Sequence, residues 1–200
     1  MSISAIKKSF QDSIMVKNNI LKNNLLNVIL EMGDDIVDAV LNNKKLMICG
    51  NGGSAADAQH LAAELLVRLK PKNNREGIPA IALSQDISTI TACGNDFGFD
   101  KLYERMIEAL GNSGDVLLAI TTSGNSENIR LALLEAKKRN IKTFAFLGTS
   151  GGSVLELCDR YFLVPSDDTA RIQESHITAG HSLMEHIEDK LIENNYLKIK

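Results

Sequence analysis

Two hundred residues, 44% of them hydrophobic and 24% charged, suffice for one well-buried core and are short for two, so the chain reads as a single domain. The net charge of −3 is spread over both signs without a basic block, which argues against nucleic-acid binding through an electrostatic stripe. No apolar run approaches the length of a membrane span, and the amino terminus MSISAIKKSFQDSIMVKNN lacks the apolar stretch of a signal peptide.

Cys49, Cys93 and Cys158 are odd in number, far apart and without a CxxC pair, which argues against a disulfide framework and against a cysteine-built zinc site. Cys49 and Cys158 adjoin apolar runs and are expected to be buried thiols. A reducing, cytoplasmic setting and no membrane partner are expected.

Residues 4 to 43 place Ile6, Phe10, Ile14, Ile20, Leu21, Leu25, Ile29, Val37 and Val40 at near-helical spacing, interrupted around Asn23 and Gly33. Two helices are predicted. The first has little core of its own to cover, so it is as ready to pack on a neighbouring subunit as on its own domain. From Lys45 onward come five short apolar runs, LMIC (46 to 49), IPAIAL (78 to 83), VLLAI (116 to 120), KTFAFL (142 to 147) and YFLV (161 to 164), each followed by a turn signal and a helical stretch. Continuous apolar runs suit strands covered on both faces, so the pattern predicts an α/β fold, a parallel sheet flanked by helices. Ligands of such sheets bind beyond the carboxyl ends of the strands, where helix amino termini offer free N–H groups and partial positive charge.

The first loop of that kind, GNGGSA at 50 to 55, satisfies the dinucleotide pattern GxGxxA. A dinucleotide site also needs an acidic residue ending the next strand about 20 positions on, and that region here is LVRLKPKNN. The remaining choices are a glycine turn of purely geometric purpose and a ligand loop. On the helix that follows, Asp57, His60 and Glu64 are spaced by three and four, so His60 and Glu64 project from one face with Cβ atoms about 6 Å apart. They can serve one metal ion or one substrate, or form an ordinary surface pair. The apolar flanks Ala55, Ala56, Ala58, Leu61, Ala62, Ala63, Leu65 and Leu66 mean that a polar pair here needs partners.

The segment KPKNNREG, 70 to 77, reads as a mobile loop without a role. The loop TTSGNSEN, 121 to 128, offers four hydroxyls, Thr121, Thr122, Ser123 and Ser126, and backbone N–H groups kept accessible by Gly124. It lacks the lysine of a Walker loop. Plain capping by Ser126 is the alternative, but four hydroxyls exceed what a cap needs, and a phosphate site is preferred. The last segment, from near Thr169, reads as a long helix carrying Gln173, His176, His181 and His186.

Taken together, CGNGGSAADAQH, AAEL, GNDFGF, GDVLLAITTSGNSEN and DDTARIQESH resemble the sedoheptulose 7-phosphate isomerases (phosphoheptose isomerases) of the SIS-domain family, in the family's order and spacing from about Lys45 to Glu188. The resemblance implies one SIS domain over residues 1 to 200: a doubly wound five-stranded parallel sheet at 44 to 200, preceded by N-terminal helices at 1 to 43 used in oligomerisation. It implies a homotetramer that converts sedoheptulose 7-phosphate to D-glycero-D-manno-heptose 7-phosphate, for bacterial lipopolysaccharide or capsule. By position it puts Asn51, Gly52, Gly53, Asn95 and Asp96 at the sugar, and Ser54, Thr121, Thr122, Ser123 and Ser126 at the phosphate. His60, Glu64, Gln173 and His181 correspond to the family's ligands for one zinc ion per subunit. Glu64 and His181 also correspond to its acid/base pair, and Glu64 and Gln173 also face the substrate.

Gln173 and His181 are separated by about 12 Å of helix rise, which points to a site at or near a subunit interface. Where the family commonly has a VGRF-like stretch after AAEL, this chain has LVRL, keeping Arg68 but not the glycine. Two other readings stand beside the isomerase: a non-enzymatic branch that binds the bacterial replication initiator, which lacks the counterparts of Glu64 and His181, and an isomerase of another sugar phosphate.

Overall fold

The computed structural model describes residues 2–199. In chain order the elements are α1 (Ile3–Lys22), α2 (Asn27–Leu41), β1 (Leu46–Gly50), α3 (Gly53–Leu66), β2 (Ala80–Ala82), α4 (Ile87–Asp96), α5 (Leu102–Leu110), β3 (Val116–Thr121), α6 (Glu127–Lys138), β4 (Lys142–Gly148), β5 (Arg160–Val164) and α7 (Thr169–Glu193), with short 3-10 turns at Phe99–Lys101 and Gly152–Leu157. The strands form one all-parallel sheet in the order β2-β1-β3-β4-β5. All five predicted strands are present. β2 is shorter than its apolar run because Pro79 has no N–H for the ladder. The Ile78 N–H is also diverted, to the Leu65 carbonyl at the end of α3.

Alternation along the strands sorts the core into two layers. Leu46, Ile48, Val116, Leu118, Ile120, Phe144 and Phe146 pack with α1, α2, α3 and α7, while Met47, Cys49, Leu117, Ala119, Ala145 and Leu147 pack with α4, α5 and α6. Both faces of the sheet are thus covered, as the unbroken apolar runs require. Among the described residues no helix is long and apolar enough to cross a membrane.

Two local expectations are corrected. The N-terminal helices do break near Asn23, where Asn24 takes a left-handed φ of 53°, but α2 runs through Gly33 without interruption. That glycine serves close packing: a Cβ there would lie 2.4 Å from Cδ2 of His186 on α7. The second correction concerns the presumed mobile loop at 70 to 77. Asn73 and Arg75 are buried, Lys70 pairs with Asp189 at 2.7 Å, and Arg75 pairs with Glu188 inside the protein. Of the two thiols expected to be buried, Cys49 is fully so and Cys158 only partly.

His176 is fully buried on α7, beside Phe146, with Nε2 donating to the Leu147 carbonyl at 3.2 Å. Burial lowers its pKa to about 4, the bond to Leu147 opposing the shift only in part. Below about pH 6.5 the unfolded chain therefore binds a proton that the folded chain refuses. This contribution to stability is complete above pH 6.5 and lost at roughly 1.4 kcal/mol per pH unit down to about pH 4. Urea unfolding of wild type and His176→Gln at pH 7.5 and pH 5 should give a smaller acid loss in the variant; equal losses would refute the assignment.

Candidate active site

The order β2-β1-β3 means that the chain leaves β1 for one edge of the sheet through β2, then returns to lay β3 on its other side. The loops after β1 and β3 consequently diverge, opening the crevice where open α/β sheets take ligands. Each loop feeds a helix amino terminus, α3 at Gly53 and α6 at Glu127. The two loops are joined side chain to side chain. Asn51 Nδ2 donates to Asn128 Oδ1 at 2.8 Å, and Asn128 Nδ2 donates back to Asn51 Oδ1 at 2.9 Å. Beneath them the buried Tyr103 hydroxyl donates to the Gly50 carbonyl.

The hydroxyls of the loop after β3 are only partly engaged within the loop. Ser126 stands at the N-cap of α6 yet makes no capping bond with its side chain, so capping does not account for it. Thr121 is buried and accepts the Gly124 N–H at 3.2 Å; Ser123 accepts the Asn125 N–H at 3.2 Å. Gly124 has φ of 64°, and a Cβ on it would lie 2.0 Å from the Gly151 carbonyl oxygen. Only glycine fits that position. Ser54 is buried in the first turn of α3, its N–H bonded to the Asn51 carbonyl. Gly52 and Gly53 form the turn into the helix, where the carboxamide of Gln173 occupies the space that a side chain on Gly53 would need.

Two turns along α3 lies the charged cluster. His60 Nε2 is 2.8 Å from Nε2 of His181 on α7 and 3.3 Å from Oε1 of Glu64. The ligand atoms of all three residues lie within 4.8 Å of one another. The approach of α3 and α7 depends on Gly180, where an added Cβ would lie 2.6 Å from Leu61 Cδ1; Leu61 and Gly180 are the chain neighbours of His60 and His181. Asp57 adjoins the same cluster. Burial raises its carboxyl above the usual range, and the nearby His60 and His181 oppose that rise.

The donor set suits a divalent metal. Two ring nitrogens facing each other at 2.8 Å can share only one proton between them, whereas a cation would accept both lone pairs. Zinc–nitrogen bonds of 2.0–2.1 Å in a tetrahedral site put two such nitrogens about 3.3 Å apart. The rings would have to separate by roughly half an ångström to admit the ion, a small side-chain adjustment.

Not every expected residue joins these groups. Gln173 lies eight residues before His181 on the same helix, at Gly53 instead of at His60. Asn95 and Asp96 are exposed at the end of α4 and bonded to one another at 2.7 Å, with no hydrogen bond to either loop among the described residues. Conversely, Asn128 and Tyr103 were not singled out from the sequence. Asn128 lies within the quoted TTSGNSEN loop, but nothing local marks it as the partner of a residue 77 positions away.

A SIS-domain family model matches residues 9–148. A phosphoheptose isomerase of Leptospira biflexa serovar Patoc is 47% identical over 93% of this chain and 95% of its own. One from Nitratiruptor is 54% identical over 76% of this chain and 81% of its own. Among solved structures, a phosphoheptose isomerase from Francisella tularensis superposes with a TM-score of 0.89 at 38% identity, covering 94% of this chain and 99% of that one.

Proposed function

The chain belongs to the phosphoheptose isomerases of the SIS-domain family, and from that membership we infer its reaction and the roles of its residues. It is an aldose–ketose isomerase that converts sedoheptulose 7-phosphate to D-glycero-D-manno-heptose 7-phosphate in bacterial heptose biosynthesis. The observation that carries the reading furthest is a spacing. His60, in the charged cluster, lies seven positions after Gly53, at the loop crevice, on α3, about 10 Å of helix rise. An open-chain seven-carbon sugar phosphate, built from C–C bonds of about 1.5 Å, spans a similar length of roughly 10 Å. Its phosphate at C7 can therefore lie on the helix termini while C1 and C2 lie at Glu64 and His181.

In this reading Ser54, Thr121, Thr122, Ser123 and Ser126 hold the phosphate oxygens, aided by the N–H groups and dipoles of α3 and α6. Asn51, Gly52, Gly53 and Gln173 line the sugar, and Asn95 with Asp96 are assigned to it by position in the family. Glu64 is the base. Its carboxylate takes a proton from C1, the C1–H electrons form the C1=C2 bond, and the C2 carbonyl oxygen takes a proton from His181. His181 then removes the proton from O1 as Glu64 returns its proton to C2, leaving the aldehyde at C1 and a hydroxyl at C2. His60, Glu64 and His181 would hold a zinc ion, while Gln173, whose carboxamide sits at Gly53, stands outside that set within one chain. When bound, that ion supplies Lewis-acid stabilisation of negative charge on the two oxygens.

A homotetramer is supported by two separate sets of exposed apolar side chains. Ile3, Ile6, Phe10 and Ile14 mark one stripe of α1, with Leu21, Leu26 and Leu30 beyond it, while Ile87, Phe97 and Phe99 stand on α4 and the turn after it. Two such surfaces are what the two isologous interfaces of a dihedral tetramer need. A cytoplasmic setting accords with three cysteines that are all unpaired.

The test is NMR of sedoheptulose 7-phosphate with the purified protein in D2O, with and without added zinc. Aldose formation with deuterium entering at C2 is expected. A folded, oligomeric, zinc-supplied protein that leaves the ketose unchanged would overturn the substrate assignment.

A further inference from the structure

We propose that Arg75 is a positioning residue for the metal-binding cluster, acting as a buried clamp between the two helices that carry it. The proposal rests on the metal reading above, but the residues and contacts that motivate it belong to the segment 70–77, to which the function assigns nothing.

Arg75 and Glu188 are both fully buried as side chains, and Arg75 Nε donates to Glu188 Oε2 at 2.5 Å. The rest of the guanidinium faces the end of α3. Nη2 donates to the Glu64 carbonyl at 2.9 Å, and Nη1 donates to the Leu65 and Glu76 carbonyls, each at 2.9 Å. The last four carbonyls of a helix have no partner within it. In α3 that turn is satisfied largely by this segment, since the Ile78 N–H also donates to Leu65. A cation at that end complements the helix dipole as well. Glu188 is held from its other side, with Asn73 Nδ2 donating to Oε1 at 2.6 Å.

These contacts reach the cluster directly. The carbonyl that Nη2 holds belongs to Glu64 itself, so the guanidinium fixes the backbone from which the proposed base and ligand projects. Glu188 follows His181 by seven residues on α7, nearly two full helical turns, so the two side chains lie on one stripe of that helix. One side chain thereby sets the spacing of α3 and α7 below the point where His60, Glu64 and His181 converge. Partners outside the ligand set that orient ligands in this way typically govern metal affinity by 10–100-fold.

The measurement is Co²⁺ binding, by titration calorimetry and by the visible absorption of the bound ion, on the full-length oligomer of wild type, Arg75→Met/Glu188→Leu and Lys70→Ala. The double substitution removes both buried charges together and leaves neither unpaired. Lys70 anchors the same segment through Asp189 and, among the described residues, its side chain makes no hydrogen bond to α3 or to the cluster, so Lys70→Ala separates a general loss of the strap from loss of the clamp.

The double variant, unfolding cooperatively, is expected to bind Co²⁺ at least tenfold more weakly with an altered absorption band. Its kcat should fall in step, with KM for the sugar phosphate within threefold of wild type. Lys70→Ala should stay within twofold on every measure. A cooperatively folded double variant with wild-type Co²⁺ affinity and spectrum would overturn the proposal. If the double variant does not fold, Arg75→Lys decides in the same way: a lysine keeps the charge opposite Glu188 but cannot also span two carbonyls, so wild-type affinity there would equally overturn it. A wild type that binds Co²⁺ but leaves the ketose unchanged would sink the isomerase reading alone, and the affinity comparison would still decide the clamp.

Discussion

Glu64→Gln should lower kcat by about 10²–10⁴-fold, the range that a positioned general base contributes. The substitution keeps size and hydrogen-bonding reach but replaces a group that accepts a proton with a carboxamide that does not. Glu64 is only partly exposed beside His60, at the surface of the cluster where a bound sugar can reach it. Because it is also an expected metal ligand, metal content must be measured alongside. The base assignment predicts that deuterium wash-in at C2 stays depressed even when the variant is saturated with zinc. Full recovery of exchange at saturating zinc would assign Glu64 to metal binding alone.

Gly124→Ala is the second large effect expected. A left-handed conformation costs a non-glycine residue roughly 1–2 kcal/mol, and overpacking typically adds another 1–3 kcal/mol. The added Cβ would meet the Gly151 carbonyl at 2.0 Å, and the φ of 64° offers no relief while the turn is kept. The loop must therefore open, and it is the loop that bears Thr121, Thr122, Ser123 and Ser126. Expected are a fall in melting temperature of roughly 5–15 °C and at least a tenfold rise both in KM and in the inhibition constant of inorganic phosphate. Unchanged phosphate inhibition in the folded variant would remove this loop from the phosphate site.

What could be read from the chain alone divides along a physical line. The strands were legible because a strand covered on both faces is uniformly apolar over its own few residues, and β1, β3 and β4 carry that signal internally. His60 and Glu64 were legible as a pair because helical spacing brings them together. Their convergence with His181, 121 positions away, has no local signature, and only the family resemblance pointed to it. The segment 70–77 misled for a related reason. Lysine, asparagine and proline make it look solvated, and the carboxylate that holds Arg75 lies 113 residues on, within a helix. Gly33 suggested a helix end, but its position is set by the ring of His186, another contact that composition cannot reveal. The tie between Asn51 and Asn128 belongs to the same class.

The placement of α7 has a consequence for how the molecule is made. It is the last helix among the described residues, it buries Leu183, Met184, Ile187 and Leu191 completely, and it supplies both His181 and Glu188. During synthesis, at about 5–20 residues per second, all five strands emerge before it does. Until then the face of the sheet bearing Leu46, Ile48, Val116, Leu118, Phe144 and Phe146 lacks one of its covering helices, and Arg75 has no counter-charge. The nascent polypeptide therefore passes through a stage that is hydrophobic on one side and catalytically void, and synthesis must run past α7 before the enzyme can seal its core and assemble its reaction centre.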